Sequence, residues 1–455
     1  MASINQVIDR FIDENMERYL AETMELCALP SVSATGEGIK ACADKVEEIL
    51  ARHGLEVQRF ETPGNPIFVG KAAGESERTL LFYNHYDVQP PEPLELWTTP
   101  PYEPAIRDGK LFARGSSDDK GEFISRLMAI DAVREAHGGD LPCGVVVVIE
   151  GQEEVGSPHI AQFVQEHLEL LASHAAVWEE GGVGREGPTT LLGKRGVLDV
   201  ELFVETIRRD AHSGGANLLP SAAWRLVWAL ASLKDSCERI LIPGFYDDLK
   251  EPTALDREMY EIYPNLLQEQ QAMLDQYGIK EFLGGKRGVE AELMVFEPTC
   301  NIQGITTGYQ GKGGKTVIPA RASAKLDFRL LLDQDPDDIE AKLRAHLDAQ
   351  GFSDVKIERG GAMWPAKVPA DDPFVRLSAE TAEEVYGMPY HILPTTGGSS
   401  PVYAFAKPLG NIPVVTAGVG YWDKASHAPD EHIRIEDFRN GTRHVARILA
   451  GFDKI

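Results

Sequence analysis

The alternation of apolar and polar residues along the chain predicts a sheet covered by helices. Apolar residues recur at helical spacing over residues 4–29 and 38–53, which predicts two surface helices. Short apolar runs follow at 79–88 and 143–151, with a helical pattern at 121–137 between them. Strand-like runs that alternate with helical stretches favour βαβ units around a buried, largely parallel sheet.

The pattern changes after Gly196. Two segments alternate as half-exposed strands and two have helical spacing, in the chain order 198–206, 220–234, 322–332 and 336–349. This mixture predicts an inserted α+β layer. The polar segment 246–285 is rich in helix formers, and we expect it to decorate that insert.

A helix predicted at 374–386 and the apolar run NIPVVTAG return the chain to the first unit. We therefore predict an α/β fold in two parts. Residues 1–198 and 369–455 form the domain with the mostly parallel central sheet, and residues 199–368 form an inserted α+β domain. A chain of 455 residues agrees with two domains, because one hydrophobic core rarely serves so many.

Composition limits the partners and the compartment. The chain has 45 basic and 71 acidic residues, and its net charge of -26 repels nucleic acid and anionic lipid. Its five cysteines are scattered without a C-x-x-C pair, which favours reduced thiols in a cytoplasm. The N-terminal residues mix charge with apolar residues, and no apolar run approaches the roughly 18 residues of a membrane span, so we expect no signal peptide and no anchor.

Candidate chemistry is concentrated in five clusters of histidine and carboxylate residues. Two divalent cations about 3.5 to 4 Å apart need a bridging carboxylate, terminal ligands on each ion, and a further carboxylate that takes a proton from water. The clusters supply such a set with His85 in NHYDVQP, Asp118 in ARGSSDDKGE, Glu153 and Glu154 in EGQEEVGSP, Glu179 in VWEEGG, and His427 in ASHAPDEH. The sequence therefore predicts a two-metal hydrolase.

Two clusters show how the roles could divide. His85 and Asp87 are two residues apart at the end of a predicted strand, so the carboxylate can hold the imidazole in one tautomer while the other ring nitrogen binds metal. Glu153 and Glu154 are adjacent, which costs energy by repulsion unless a cation lies nearby. If one of the two binds metal, the other is free as a general base.

Two further pairs leave alternatives open. Asp118 and Asp119 precede the helix predicted at 121–137, so one can cap that helix while the other bridges the ions. Glu179 and Glu180 follow an apolar stretch, and either could be the outer ligand of the second metal.

Motifs of other hydrolases and of nucleotide-binding proteins do not fit. The zinc helix H-E-x-x-H and the serine elbow G-x-S-x-G do not occur in the sequence. The glycine-rich segment GVGREG is followed by proline rather than by a helix, and GKGGKT lacks the first glycine of a phosphate loop. Because these motifs are absent or incomplete, a two-metal hydrolase is the interpretation that the sequence favours.

Taken in order, NHYDVQP, ARGSSDDKGE, EGQEEVGSP, DAHSGG and ASHAPDEH resemble the co-catalytic zinc peptidase family that includes carnosinases, acetylornithine deacetylase and succinyl-diaminopimelate desuccinylase. The resemblance covers nearly the whole chain, and HYDVQPPEPLELWTTPPYEP is especially similar to the bacterial dipeptidase branch. It implies a zinc-peptidase catalytic domain with an inserted lid that dimerises. The implied cofactor is a pair of divalent ions per chain, zinc first, with manganese or cobalt as alternatives.

The resemblance also assigns roles at the metal centre. Glu153 corresponds to the general base, and Asp87 to the carboxylate that supports a ligand histidine. Counting back from the shared P-x-x-x-x-G-x-R-G segment selects Glu179 over Glu180. The implied ligands are His85, Asp118 as the bridge, Glu154, Glu179 and His427.

In the lid, the family histidine that polarises the scissile carbonyl of the partner subunit's substrate corresponds to His212. Arg329 and Thr316 match lid residues that hold a substrate carboxylate. Ser399, in the Gly-Gly-Ser core of TTGGSSP, joins them as a substrate-binding residue. The implied assembly is a homodimer that shares its active sites.

We predict a cytoplasmic, homodimeric, dinuclear hydrolase that cleaves the amide bond of dipeptides. An N-acyl-amino-acid deacylase or a carboxypeptidase of the same family is the alternative, because the dipeptidase branch usually has Asp where this chain has Glu179. Thr395 and Thr396 likewise replace a charged pair of the carnosinases. An inactive metal-binding dimeric scaffold is the non-enzymatic alternative, and Glu153 argues against it because a scaffold needs no spare base.

Overall fold

The computed structural model of the chain describes residues 3–455, and its central feature is a six-stranded sheet. Three of the five neighbouring strand pairs are parallel, and the two at one edge are antiparallel. In spatial order the strands are Glu56–Phe60, Ile67–Ala72, Gly144–Glu150, Thr79–His85, Ala175–Trp178 and Val414–Thr416. The predicted, mostly parallel central sheet is confirmed, with an antiparallel edge.

Helices cover this sheet and bury its apolar strands. The helix Lys120–Ala136 is buried along most of its length because it contacts the strand Thr79–His85 and the helices Ile4–Cys27 and Ile435–Gly451. Its buried residues therefore surround the helix axis instead of forming one stripe. The remaining helices of this unit are Ile39–Arg52, Ile160–Glu166, Pro373–Tyr386 and Val402–Ala406.

Two smaller sheets extend the same unit. One has four strands in the spatial order His391–Leu393, Pro188–Leu191, Gly182–Val183 and Gly420–Tyr421. The other has three strands in the order His432–Arg434, Lys110–Phe112 and Ala105–Arg107. Because the strands at 420–421 and 432–434 flank the loop 422–431, the two sheets hold the loop that contains His427 at both ends.

A separate antiparallel sheet forms the second unit, the lid. Its four strands, in spatial order, are Thr299–Thr307, Arg321–Leu330, Gly196–Glu205 and Lys356–Met363. One face of this sheet joins a second hydrophobic core with the helices Ala222–Ala231 and Pro336–Ala349, and Leu198 and Val200 alternate toward it. A short pair of strands, Ala211–His212 and Val317–Ile318, lies beyond the sheet. The predicted α+β layer is confirmed.

The chain passes between the two units through two short strands that pair with each other. Gly193–Lys194 lies antiparallel to Ala366–Lys367. Both crossings lie close to the predicted limits of the lid at 199 and 368. The exact domain limits stay a prediction.

The polar segment of the lid also reaches the first unit. Its helices are Ala254–Glu261, Leu266–Tyr277 and Val289–Glu292. Met259 packs into the core of the first unit, and the Tyr260 hydroxyl donates to the carbonyl of Thr395 at 3.5 Å. The segment therefore connects the two units as well as decorating the lid, because its apolar side chains find buried surface on the first unit.

The five cysteines are all unpaired, and only Cys237 is exposed. This agrees with the reduced thiols predicted from their scattered positions. Within residues 3–455 the structure has no helix that is long and apolar enough to cross a lipid bilayer.

Candidate metal centre

Three neighbouring parallel strands end at the same edge of the large sheet, and a candidate ligand follows each one. Thr79–His85 ends in a candidate histidine ligand. Glu153 and Glu154 follow its neighbour on one side, and Glu179 follows its neighbour on the other. Because side chains beyond the carboxyl ends of parallel strands share one cleft, residues far apart in the chain come together here.

The Asp118 carboxylate lies between the two candidate histidine ligands. Its Oδ1 is 3.1 Å from His85 Nε2, and its Oδ2 is 3.0 Å from His427 Nε2. A carboxylate that presents a different oxygen to each of two imidazoles has the placement of a bridging ligand between two ions. The structure thus brings Asp118 to the position that the resemblance implies.

The remaining ligands divide into two groups on either side of Asp118. Glu154 Oε2 is 3.2 Å from His427 Nε2, and Glu179 Oε2 is 3.9 Å from His85 Nε2. Glu179 therefore lies beside His85 rather than beside His427, and which ion it binds stays a prediction. Glu179 lies with His85 because their strands are hydrogen-bonded neighbours.

The neighbouring Asp119 has a supporting role. Its Oδ2 accepts hydrogen bonds from the backbone N–H of His85 at 3.0 Å and from the Asn84 amide at 2.6 Å. Its side chain also lies close enough to His85 and Glu179 to belong to the same group of potential donors. Asp119 stands at the N-cap of the helix Lys120–Ala136, but its side chain makes no capping hydrogen bond. The capping alternative for this residue is therefore not realised.

Asp87 connects the histidine cluster with the glutamate pair. Its carboxylate accepts from the backbone N–H of Glu153 at 3.2 Å and from that of Glu154 at 3.1 Å. The same carboxylate is 3.4 Å from His85 Nδ1, whose closer partner is the Asp87 carbonyl at 3.0 Å. Asp87 therefore positions both the ligand imidazole and the loop that contains the two glutamates.

The Glu153 carboxylate lies beside the metal ligands without an ion-pair partner among residues 3–455. Burial raises the pKa of this carboxyl to about 8, opposed by His85 and reinforced by the negative charge of Glu154. A carboxyl group that can hold or release a proton near neutral pH is suited to general acid–base work.

Glu179 and Glu180 have different surroundings. The Glu180 carboxylate pairs with Lys194 Nζ at 2.6 Å and is 40% exposed. Glu179 is buried, and its Oε2 has no hydrogen-bond partner among residues 3–455. Burial and the charge of Glu153 raise the pKa of the Glu179 carboxyl well above its usual range. This geometry favours Glu179 as the ligand.

The cluster fits two divalent cations. A buried carboxylate oxygen without a donor is costly in a protein, and a cation removes that cost. Two imidazoles and several carboxylates within a few ångströms are a donor set that zinc and manganese accept. His85, Glu179 and one oxygen of Asp118 would hold one ion, and His427, Glu154 and the other oxygen would hold the second.

Two predicted lid residues lie at the short strand pair: His212 is in one strand, and Thr316 directly precedes the other. His212 is directly opposite Val317, and the carbonyl of Thr316 accepts from Ser213 N at 3.2 Å. The His212 ring is exposed, and its Nδ1 accepts from Gly214 N at 3.0 Å. Among residues 3–455 no hydrogen bond or ion pair joins His212 to the metal centre of its own chain.

Arg329 and Ser399 are in direct contact. The Arg329 guanidinium donates to the Ser399 hydroxyl at 2.8 Å. Arg329 belongs to the lid sheet, and Ser399 to the loop 395–401 of the first unit. Two of the predicted substrate-binding residues are thus brought together across the junction of the two units.

Sequence reasoning missed a residue that holds the bridging carboxylate. Glu431 is fully buried and accepts from the backbone N–H of Asp118 at 3.0 Å and of Ser117 at 2.9 Å, while it pairs with Arg114 at 2.7 Å. The sequence signal that could have identified Glu431 is its position four residues after His427, within the motif ASHAPDEH. Its partners lie more than 300 residues away, so the sequence does not reveal what it holds.

Residues 81–451 match the model of peptidase family M20/M25/M40, and the chain belongs to that family. It is similar to a solved M20 family metallo-carboxypeptidase from Sulfolobus solfataricus, with 33% identity, a TM-score of 0.89, and coverage of 96% of this chain and 99% of that one.

Curated relatives include dipeptidases. The chain is 27% identical to the Beta-Ala-His dipeptidase of Mus musculus, over 86% of this chain and 81% of that protein. It is 25% identical to the Cys-Gly metallodipeptidase dug1 of Schizosaccharomyces pombe, over 95% of each protein. The suspected co-catalytic metallopeptidase family and the α/β fold with a lid are confirmed.

Proposed function

We propose that the protein is a dinuclear metallohydrolase that cleaves the amide bond of dipeptides. The observation that carries this proposal is the position of Asp118 between His85 and His427, with Glu153 beside them and not paired. The names of the relatives, Beta-Ala-His dipeptidase and Cys-Gly metallodipeptidase, support dipeptides as the substrate class.

Two divalent ions, when bound, supply a Lewis acid for the scissile carbonyl and lower the pKa of water. Zinc is the metal we propose, with manganese and cobalt as the alternatives to test. Glu153 takes a proton from the attacking water and passes it to the leaving amine. Asp87 keeps Glu153 in place through its backbone N–H.

Recognition of the substrate's free carboxylate is assigned to the junction between the lid and the loop 395–401. The Arg329 guanidinium offers a planar pair of donors that suits a carboxylate, and the Ser399 hydroxyl next to it adds a further donor. Thr316 is the third residue proposed for the carboxylate, and in this structure it lies beside His212, where its carbonyl accepts from Ser213 N. A dipeptide suits this proposal, because its terminal carboxylate lies one residue from the bond that breaks.

We also propose a homodimer in which His212 serves the active site of the partner subunit. His212 is exposed and lies outside the metal centre of its own chain, which supports this arrangement. The lid helix Ala222–Ala231 exposes Trp224 at 59% and Trp228 at 56%, an apolar surface typical of an interface. The unpaired cysteines support a cytoplasmic location.

Carboxypeptidase activity is the second candidate. The similar protein from Sulfolobus solfataricus, at 33% identity, is named a metallo-carboxypeptidase. The Arg329 and Ser399 pair would hold the terminal carboxylate of a longer peptide in the same way, so length selection depends on the amino-terminal side of the cleft. Deacylation of an N-acyl amino acid likewise breaks an amide bond next to a residue with a free carboxylate, so Arg329 and Ser399 would hold that carboxylate too.

A substrate panel tests these functions. The metal-free protein is incubated with zinc, manganese or cobalt and offered dipeptides, tetrapeptides and N-acyl amino acids, and released amine is measured. We expect no activity without metal and the highest kcat/KM on dipeptides. Preference for tetrapeptides would identify a carboxypeptidase, preference for N-acyl amino acids a deacylase, and metal binding without any hydrolysis an inactive scaffold.

A further inference from the structure

One helix is connected to three of the segments that contain candidate metal ligands. The helix Lys120–Ala136 begins two residues after Asp118, so the candidate bridging carboxylate stands at its N-terminal end. Glu122 and Arg126 lie one turn apart on this helix, and both are fully buried. Their polar atoms contact backbone groups of two further ligand segments.

The Arg126 guanidinium holds the ends of two neighbouring parallel strands. Its Nη2 donates to the carbonyl of Trp178 at 2.9 Å, and its Nη1 donates to the carbonyl of Ala417, which directly follows the neighbouring strand. Trp178 is the last residue of its own strand and directly precedes Glu179. Arg126 therefore fixes the backbone from which the Glu179 carboxylate extends.

The Glu122 carboxylate holds the segment that leads into the loop with His427. Its Oε1 accepts from the backbone N–H of Val419 at 2.9 Å and from that of Gly420 at 3.2 Å. A Cβ atom at Gly418 would collide with the Glu122 carboxylate, so this close approach requires glycine there. Glu122 thus anchors the loop on its N-terminal side.

The hydrogen bonds within the pair are incomplete. Glu122 Oε2 lies 3.6 Å from Arg126 Nη1, and within the part of the chain that the structure describes neither that oxygen nor Arg126 Nε has a hydrogen-bond partner. A buried ion pair with unused donors and acceptors costs desolvation energy that apolar residues of similar volume avoid. In return the pair makes four directed hydrogen bonds to backbone groups, which apolar side chains cannot make. Stability alone is therefore a poor reason for this pair.

We propose that Glu122 and Arg126 are positioning residues of the two-metal site. They fix the segments of Glu179 and His427 relative to the helix that follows Asp118, and so set the separation of the ligand groups. Arg126 acts first on the ion that Glu179 binds, because it holds the backbone next to that residue. This inference rests on the proposed two-metal function and adds how the fold sets the geometry of the metal centre.

Metal binding to the folded variants tests the proposal. Arg126→Met should bind one of the two ions at least about tenfold more weakly, since a residue that orients a ligand typically contributes that much to metal affinity. The visible absorption of bound Co²⁺ depends on its coordination geometry, and the loaded variant should show a changed spectrum. Glu122→Leu should also weaken binding, whereas Glu122→Gln keeps the accepting oxygen and should retain most of the affinity.

Arg447→Met is the matched control. Arg447 is also a buried arginine in an ion pair, with Asp9 at 2.9 Å, and it lies on the helix Ile435–Gly451. We expect this variant to lower the urea midpoint of the metal-free protein without changing metal affinity or the Co²⁺ spectrum. Urea unfolding of all metal-free variants measures stability separately from metal binding.

Wild-type metal affinity and an unchanged Co²⁺ spectrum in Arg126→Met would overturn the inference, because the residue would then act on stability alone. Equal weakening in Arg447→Met would overturn it too, since any loss in the core would then have that effect. If Arg126→Met does not fold, the two Glu122 variants decide, and equally tight binding by both contradicts the inference. A wild-type protein that binds fewer than two ions would instead contradict the proposed function, and this inference with it.

Discussion

Lys194 and Glu180 form an ion pair in which Nζ lies 2.6 Å from Oε2. The pair engages the Glu180 carboxylate, whereas its neighbour Glu179 is buried beside His85. Two adjacent glutamates that are equivalent in sequence therefore have different partners in the fold. One is engaged by a lysine, and the other is available to a cation.

This difference predicts the metal content of two matched variants. Glu179→Ala should lose one of the two metal ions per chain, because it removes a terminal carboxylate ligand from the ion beside His85. Glu180→Ala should keep both ions but lower the stability by about 1 to 3 kcal/mol, because it leaves the buried Lys194 ammonium without its partner. Metal analysis after gel filtration measures both. Loss of an ion from the Glu180 variant alone would reverse the assignment.

The free carboxylate next to the ligands leads to a second prediction. Glu153→Gln should retain about two metal ions but lower kcat at least about a hundredfold, because a general base typically contributes that much. Glu154→Gln is the matched control and should lose metal as well as activity. A Glu153 variant without metal, together with a Glu154 variant that retains it, would mean that the two roles are exchanged.

A third prediction concerns subunit sharing. His212→Ala and Glu153→Gln chains should each be nearly inactive, and a mixed dimer should contain one site with both residues intact. Random mixing makes about half of the dimers mixed, so roughly a quarter of the wild-type activity per site should return. The measurement is activity after co-refolding, with chain exchange followed by mass.

The control for this experiment mixes each variant with itself under the same conditions. A mixture as inactive as its parents, despite demonstrated exchange, would place the action of His212 within its own chain or outside catalysis. Recovery above the controls requires the exchange of a functional group between chains.

A fourth prediction follows from a buried ionic network away from the metal centre. His53 is fully buried, with Nδ1 2.5 Å from Asp131 and Nε2 2.9 Å from Glu22. Burial alone would lower the pKa of His53, but the hydrogen bonds to Asp131 and Glu22 raise it above its usual 6.5. Because the folded-state pKa is the higher one, this contribution to stability is complete below pH 6.5 and is lost as pH rises through the folded-state pKa.

His53→Gln should therefore destabilise the protein more at pH 6 than at pH 9. At the lower pH we expect a loss of about 2 kcal/mol, the usual value of hydrogen bonds to charged groups. Urea unfolding of variant and wild type at each pH measures the difference, and contributions shared by both proteins cancel. A difference that is constant with pH would show that His53 is neutral in the folded protein.

Much of the fold follows from the sequence pattern because helix and strand periodicity is a local property. The helix predicted at 336–349 spans Pro336–Ala349 in the structure, and the helix predicted at 121–137 spans Lys120–Ala136. The contact of Tyr260 with Thr395 was not predictable, because the two residues are 135 positions apart and the sequence around one carries no information about the other.

The metal centre shows the same limit. Candidate ligands could be found because histidines and carboxylates directly follow apolar strands. Their division into two groups depends on strand order, and Thr79–His85 lies between two strands that come later in the chain. The support that Glu431 gives to Asp118 likewise depends on a contact across 313 positions.

The paired crossings at Gly193–Lys194 and Ala366–Lys367 have an evolutionary consequence. The chain leaves and re-enters the first unit at adjacent points. The lid segment between these points can therefore vary in sequence and length without displacing the first unit. All five candidate metal ligands lie outside this lid segment, whereas Arg329 and His212 lie within it. The metal ligands and the lid contacts to the substrate are thus encoded in separate stretches of the gene, and selection can change the lid contacts while the metal ligands stay the same.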